Sequence, residues 1–195
     1  MNTIKTKKIV IFASGTGTNA ENIINYFDRT PSQVEVSLVL SNNAKAEVLE
    51  KAHFHDVKAA HFDKYSFQGS EEVLQLLKEI NPELIVLAGF LWKIPQFLIE
   101  AFPKQIINIH PALLPDYGGK GMYGDHVHKA VLENKEKKSG ITIHYVNEVY
   151  DDGEIIFQKE VEVEPNDTLR SLRDKIRVLE YRHYPKVIHE LLEGK

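Results

Sequence analysis

Short apolar runs alternate with amphipathic stretches through the first half of the chain. Runs such as KIVIFA at residues 8–13 and LIVLA at residues 84–88 are typical of strands covered on both faces. Further strands are predicted at residues 34–40, 57–60 and 106–109, and helices from Thr18, at 44–54 and at 70–80. These repeated strand–helix–strand units predict an α/β fold with a mostly parallel, twisted sheet and helices on both faces.

The second half follows a different pattern. Residues 141–146 and 154–163 flank the turn NEVYDDG and are predicted to pair as antiparallel strands. Valines alternate with glutamates at the end of the latter segment, which indicates that one face of this strand is exposed to water. A long helix is predicted from about Asp167, and Pro185 is expected to kink it. Its core stripe is formed by Leu169, Leu172, Ile176 and Leu179.

Composition and charge narrow the functional classes. The chain has 195 residues, 43% hydrophobic and 27% charged, which is typical of one globular domain. Its net charge of −4 argues against a nucleic-acid-binding surface, which is normally basic. Because the chain has no cysteine, disulfides and thiolate chemistry are excluded. The N-terminal apolar run is too short for a signal peptide or membrane span, so we expect a cytoplasmic protein. We also expect a monomer or a weak homodimer.

The sequence ASGTGTNA at residues 13–20 lies between the first predicted strand and the first predicted helix. Gly15 and Gly17 allow a sharp turn and close approach to a ligand, while the N–H groups of a helix start favour an anion. The turn therefore predicts a phosphate site, although an ordinary strand–helix turn has the same glycines. The second strand ends in SNN at residues 41–43, without the acidic residue that holds a dinucleotide ribose, so a phosphomonoester fits better.

A polar pair interrupts the apolar strand IINIH. Because side chains alternate along a strand, Asn108 and His110 are predicted to share one face. Pro111 ends the strand directly afterwards, so the pair is expected at the carboxyl end of a parallel strand, where open α/β sheets bind ligands. An imidazole that moves protons and an amide that donates to an oxyanion suit acyl-type transfer. A core histidine with a structural asparagine is the alternative interpretation.

A carboxylate would complete such a site. Asp151 and Asp152 lie in the turn between the two late strands, where aspartate is most often only a turn former. If this turn folds over the sheet edge, one of them could orient His110 and favour its charged form. The pair His126-x-His128 has no matching acidic or cysteine partners nearby, so we interpret these residues as solvated or core histidines and expect no metal site there.

Five segments match one family in the right order and cover nearly the whole chain: SGTGTN, LIVLAGFLWKIP, NIHPALLPDYGGKGMYG, HYVNEVYDDGEII and LEYRHYP. On these motifs, the chain resembles the phosphoribosylglycinamide formyltransferases, folate-dependent enzymes of purine synthesis. The Asn-Ile-His-Pro-x-Leu-Leu-Pro segment is specific to folate formyltransferases and their relatives. SGTGTN and the short chain indicate the glycinamide ribonucleotide branch.

The resemblance implies a single Rossmann-like formyltransferase domain at residues 1–195. It implies transfer of formyl from 10-formyltetrahydrofolate to the amine of glycinamide ribonucleotide, with small-molecule substrates and no metal. Asn108 would stabilise the tetrahedral oxyanion, and His110, as a cation, would polarise the formyl oxygen and supply a proton. Asp151 would raise the pKa of this histidine and hold a water that relays the proton of the amine.

The resemblance also implies the binding residues. Gly15, Gly17, Thr18, Asn19 and Glu180 would bind the ribonucleotide, and Leu91, Trp92, Lys93, Ile94 and Asn108 would bind the folate. A cis peptide is expected before Pro115. Trp92 and Lys93 depart from the arginine and isoleucine that are frequent in the family, and Asp152 stands where glycine is common. The segment 64–70 lacks an arginine for the folate, and the glycine-rich loop 116–125 is expected to act as a flap.

Related functions remain open from the sequence. Methionyl-tRNA formyltransferase shares the three catalytic residues but needs a C-terminal RNA-binding domain, which we expect to be missing. Formyltetrahydrofolate hydrolase needs a preceding regulatory domain, which we also expect to be missing. Sugar-nucleotide formyltransferases differ only on the acceptor side. A nucleotide-binding module without chemistry would keep SGTGTN and would not need the catalytic residues.

Overall fold

A computed structural model of the chain describes residues 6–194. Residues 1–5 and Lys195 lie outside the described residues, as does part of the N-terminal run discussed above. The described strands are β1 (Lys7–Phe12), β2 (Val34–Ser41), β3 (Ala59–His61), β4 (Leu84–Leu87), β5 (Ile106–His110), β6 (Lys138–Tyr145) and β7 (Ile155–Glu162). The described α-helices are α1 (Thr18–Arg29), α2 (Glu47–Phe54), α3 (Glu72–Ile80), α4 (Gln96–Ala101), α5 (Asp125–Glu133) and α6 (Leu169–Glu193).

The strands form one seven-stranded sheet in the order β3-β2-β1-β4-β5-β6-β7. The first five strands are parallel, and β6 and β7 continue the sheet in antiparallel pairing. This confirms the mostly parallel sheet and the antiparallel strand pair predicted from the sequence. Between β1 and β4 the strand order reverses, and such a switch point opens a crevice at the carboxyl ends of the strands.

Helices cover both faces of the sheet, as predicted. Alternate residues of β1 feed two separate cores: Ile9 and Ile11 pack with α1, α5 and α6, while Val10 and Phe12 pack with α3 and α4. This alternation follows from the two-residue repeat of a strand and explains why the central strands are apolar throughout. The edge strand β7 is half-exposed, with Val161 between the exposed Glu160 and Glu162, as the alternating pattern predicts.

Several elements differ from the predictions. Helices α4 and α5 were not predicted, because α4 has only six residues and α5 interleaves its buried Val127 and Val131 with polar side chains. Helices α2 and α3 begin at Glu47 and Glu72, later than the expected residues 44 and 70. The peptide bond before Pro115 is cis, as the resemblance implied.

Helix α6 continues through Pro185 to Glu193. Proline has no N–H, so the carbonyl of Tyr181, four residues earlier, loses its helical hydrogen bond. In the structure, the side-chain amide of Asn22 on α1 donates to this carbonyl at 2.9 Å. The amide of Asn22 thus replaces the missing backbone donor and ties the two helices together.

We expect Asn22→Ala to lower the free energy of unfolding by about 1 kcal/mol, because the half-buried carbonyl of Tyr181 loses its donor. In a Pro185→Ala background the N–H of the alanine can donate to the carbonyl of Tyr181 instead. Asn22→Ala should then lower the free energy of unfolding by clearly less. Urea unfolding of the single and double variants measures this difference. Asn25→Ala is the matched control, since its amide donates to Glu21 in the same helix. Equal costs in both backgrounds would contradict this interpretation.

Candidate active site

A cleft of about 1020 Å³ opens at the switch point of the sheet. It is lined by the turn between β1 and α1, the segment after β4, the end of β5, the β6–β7 connection, and helices α5 and α6. Two hydrogen bonds hold the crevice walls together: the N–H of Ser14 donates to the carbonyl of Gly89, and the N–H of Leu91 donates to Oγ of Ser14. The cleft therefore lies where the parallel sheet predicts a ligand site.

The three predicted catalytic side chains meet at the floor of this cleft. Nδ1 of His110 lies 3.5 Å from Oδ2 of Asp151, although the two residues are far apart in the chain. Asn108 precedes His110 by two residues on β5, and both line the cleft. Asp151 has a φ of 55°, a left-handed conformation that aspartate tolerates better than most residues. The turn thus folds over the sheet edge and directs its carboxylate at the imidazole.

Asp151, and not Asp152, faces the imidazole. Oδ2 of Asp151 accepts a hydrogen bond from the N–H of Gly119 at 2.9 Å, whereas Asp152 is exposed and accepts from Asn147 at 3.3 Å. The next residue, Gly153, packs against the strand so closely that a Cβ would lie 1.7 Å from the carbonyl oxygen of Tyr145. Only glycine fits there, and this close packing fixes the position of the turn that carries Asp151.

His144 is a further member of this group that the sequence interpretation missed. It lies directly opposite Asn108 in the antiparallel pair β5–β6. The amide of Asn108 donates to its Nε2 at 3.2 Å, and its Nδ1–H donates to the carbonyl of Tyr145 at 2.8 Å. Nε2 also lies 3.7 Å from Oδ1 of Asp151. His144 therefore lies between the amide and the carboxylate, and the strand register that places it there is not readable from the sequence.

Burial and charge act in opposite directions on His110, which is only 3% exposed. Burial lowers the pKa of His110 below its ordinary value, and the charge of Asp151 offsets this in part. The contribution of Asp151 to the pKa of His110 has the predicted sign, and burial acts against it with the larger effect. Burial disfavours the charge of Asp151 too, but His144 and His110, which attract the carboxylate when they are protonated, and the N–H of Gly119 outweigh it. The pKa of Asp151 is therefore below its ordinary value, and the residue is a carboxylate near neutral pH.

The second ring nitrogen of His110 is also occupied. Its Nε2–H donates to the carbonyl of Tyr117 at 2.8 Å. Tyr117 belongs to the segment between β5 and α5 that was predicted to act as a flap, and its φ is 57°. A substrate atom that takes a proton from Nε2 has to replace this carbonyl, so access to the imidazole depends on this segment.

The glycine-rich turn contributes Thr18 and Asn19 to the cleft lining. The amide of Asn19 donates to Oε2 of Glu180 on α6 at 3.0 Å, which brings together two predicted substrate-binding residues from opposite ends of the chain. Burial raises the pKa of Glu180 above its ordinary value. Gly15 and Gly17 shape the turn without lining the cleft. Gly17 precedes α1 with a φ of 68°.

We expect Gly17→Ala to destabilise the protein by about 2–4 kcal/mol, because it combines a left-handed backbone with a steric clash. The added Cβ would lie 2.2 Å from Cγ2 of Val48. Gly15→Ala is the matched control, since nothing lies within 4 Å of a Cβ at that position. Urea unfolding of both variants makes the comparison; comparable stability of the two would show that the turn adapts without strain.

The cleft is also lined by all four folate-binding residues predicted after β4: Leu91, Trp92, Lys93 and Ile94. Trp92 packs on an aromatic group with Phe62 and Phe67, at centroid distances of 6.1 and 6.0 Å. Nζ of Lys93 lies 5.8 Å from the ring centre of Tyr150 in the β6–β7 connection. Asn147, Val149 and Tyr150 of this connection also line the cleft, which the sequence interpretation missed.

Residues 6–194 contain no group of three or more histidine, aspartate or glutamate side chains arranged to hold a metal ion. His126 is exposed and His128 is buried, so the two do not present a common face. No described helix is long and apolar enough to cross a membrane.

Comparisons with known proteins agree with this geometry. The formyl transferase family matches residues 7–188. The chain is 38% identical to a chloroplastic phosphoribosylglycinamide formyltransferase of Arabidopsis thaliana, over 97% of this chain and 66% of that protein. It is 35% identical to the phosphoribosylglycinamide formyltransferase of Bacillus subtilis, over 95% of each. The chain thus spans only 66% and 63% of two plant relatives, but nearly all of this bacterial one.

Solved structures of phosphoribosylglycinamide formyltransferases are also similar to this chain. A phosphoribosylglycinamide formyltransferase from Bacillus halodurans superposes with a TM-score of 0.87 at 37% identity, covering 96% of each chain. One from Anaplasma phagocytophilum superposes with a TM-score of 0.89 at 32% identity, covering 98% of this chain and 89% of that one. The similarity therefore extends over the sheet, the cleft and the helices that line it.

Proposed function

The chain belongs to the formyl transferase family, and from this premise we propose that it transfers the formyl group of 10-formyltetrahydrofolate to the amine of glycinamide ribonucleotide. Relatives that match almost the whole chain are phosphoribosylglycinamide formyltransferases. The observation that carries the proposal is the convergence of Asn108, His110 and Asp151 in one cleft with the glycine-rich turn.

The reaction exchanges one C–N bond for another. A bond forms between the acceptor amine and the formyl carbon, and the bond between this carbon and the donor nitrogen breaks. The amine loses one proton, and the donor nitrogen gains one. Between these events the formyl oxygen carries negative charge, so donors aimed at this oxygen lower the barrier.

The three side chains suit these events. The amide of Asn108 would donate to the tetrahedral oxyanion, with His144 orienting the amide from the other side. The imidazole of His110 would supply a proton to the oxygen or to the leaving nitrogen. The carboxylate of Asp151 would stabilise the protonated imidazole and hold the water that accepts the proton of the amine.

The cleft has two sides for the two substrates. Thr18 and Asn19 at the start of α1 and Glu180 on α6 form a side of hydroxyl, amide and carboxyl groups, which suits a phosphorylated sugar. Leu91, Trp92 and Tyr150 form an apolar and aromatic side that suits the fused rings of a folate. We propose that the reacting atoms meet between these sides, above His110.

The proposal is tested by mixing the purified protein with 10-formyltetrahydrofolate and glycinamide ribonucleotide. We expect release of tetrahydrofolate together with one equivalent of formylated acceptor. Parallel reactions contain an amino-sugar nucleotide, methionyl-tRNA or no acceptor. Release of tetrahydrofolate without an acceptor would indicate a hydrolase, and preference for another acceptor would replace the proposed substrate. Absence of any turnover would leave only a binding module and refute the proposal.

A further inference from the structure

His128 on α5 is a buried histidine to which the proposed mechanism gives no role. It is 4% exposed and lines the cleft. Its Nδ1 is buried and has no hydrogen-bond partner among the described residues. Its Nε2 also has no protein partner. This nitrogen is not fully buried, so it is accessible from the cleft that the residue lines. A buried histidine with no protein partner on either ring nitrogen is unfavourable and calls for an explanation.

The surroundings of His128 determine which atom carries its proton. Burial lowers the pKa of His128, and the nearby charges of Asp125 and Arg173 have opposite signs. Asp125 and Arg173 form an ion pair with each other at 3.4 Å, and neither is hydrogen-bonded to the imidazole. The ring is therefore neutral near pH 7 and has one N–H. A proton on Nδ1 would have no acceptor, so the favourable tautomer carries it on Nε2, where it is a donor exposed to the cleft.

The wall that contains His128 belongs to the acceptor side. Arg173, Ile176 and Glu180 of α6 line the cleft at helical spacing. Glu180 at one end of this stripe is bonded to Asn19 of the glycine-rich turn, and Arg173 at the other end is paired with Asp125 of α5. His128 therefore continues the acceptor wall, while the folate side is built from the segment after β4 and the β6–β7 connection.

We propose that His128 is a substrate-contacting residue, whose Nε2–H donates to an oxygen of the phosphorylated-sugar substrate on the acceptor side. This inference rests on the function proposed above and adds a residue that selects the acceptor. The free Nε2–H supports the assignment: it is a donor at the cleft without a protein partner, and an oxygen of the substrate would complete its hydrogen bonding. A residue retained for packing alone would be better replaced by an apolar side chain of similar size.

Titration calorimetry with glycinamide ribonucleotide alone, together with thermal unfolding, tests this assignment. His128→Leu removes the donor, and we expect the Kd for the acceptor to rise about five- to tenfold with the thermal midpoint equal or higher. His128→Gln keeps an N–H near the position of Nε2 and should bind within about threefold of the unchanged protein. The KM for the formyl donor should stay within about twofold in both variants. His126→Gln, on the exposed face of α5, is the matched control. It should leave the acceptor Kd, the donor KM and the thermal midpoint unchanged.

The outcomes separate this inference from the proposed function. An unchanged acceptor Kd in His128→Leu, or an equal rise in the donor KM, would overturn the role of His128. A lower thermal midpoint or failure to fold in His128→Leu would assign the residue to packing and would overturn it as well. If the unchanged protein binds the ribonucleotide but forms no formylated product, the proposed function fails, while the binding comparison still decides the role of His128.

Discussion

Replacing His110 with alanine is expected to lower kcat for formyl transfer by about 10²- to 10⁴-fold, the usual contribution of a positioned general acid. The reason is the position of the imidazole, which lies against Asp151 at the floor of the cleft and lines it beside Asn108. Without it, neither the formyl oxygen nor the leaving nitrogen has a proton source aligned with the acceptor. Substrate binding should change much less, because the walls of the cleft remain.

The measurement is a single-turnover assay of formylated product with saturating substrates, which reports the chemical step. His126→Ala is the control on an exposed histidine, and circular dichroism checks that the His110 variant folds. A second variant, His110→Asn, fills more of the buried space and should be equally inactive. If both His110 variants retain activity within about threefold of the unchanged protein, the imidazole is not the proton source.

Asp151→Asn should give the second-largest loss, and its size should depend on pH. The carboxylate raises the pKa of His110 against the effect of burial, so its removal lowers this pKa further. If the protonated imidazole is the acid, activity falls as pH rises through the pKa of His110, and in the variant this fall begins at lower pH. Because the fraction of protonated imidazole at pH 7.5 falls with the pKa of His110, we expect kcat/KM at this pH to fall on the order of tenfold or more.

A profile of kcat/KM from pH 5.5 to 8.5 tests this explanation. The ratio of variant to unchanged activity should recover towards low pH, where the imidazole is protonated even without its partner. A ratio that stays constant across the range would mean that Asp151 acts other than through the pKa of His110. Asp152→Asn is the matched control, since Asp152 is exposed and bonded to Asn147, and its activity should be unchanged.

The local sequence predicted the central strands well because their signals are short-range. The runs KIVIFA and LIVLA are apolar throughout, and each became a strand buried on both faces. Helix α5 was not predicted from the sequence, because its apolar positions are few and flanked by histidines. The burial of His128 depends on α6, which packs on α5 from a distant part of the chain.

The candidate site was predicted in part. The alternation along IINIH indicated that Asn108 and His110 share a face, and the family resemblance supplied Asp151. The contribution of His144 depends on the pairing of Asn108 with this residue across β5 and β6, which no local pattern specifies. The lowered pKa of His110 likewise depends on burial by segments distant in the chain. The direction of this pKa shift could therefore not be predicted from the presence of a neighbouring aspartate.

The sequence by itself determined the order of the strands and of the helices other than α4 and α5, the glycine-rich turn and the identity of the chemical groups, because these depend on residue type and short spacing. Only the tertiary structure decided which groups meet, which are buried and which remain without a partner. Asn19 and Glu180 are separated by 161 residues, yet they share a hydrogen bond. Contacts of this kind, and the pKa shifts that follow from burial, arise from packing across the whole chain.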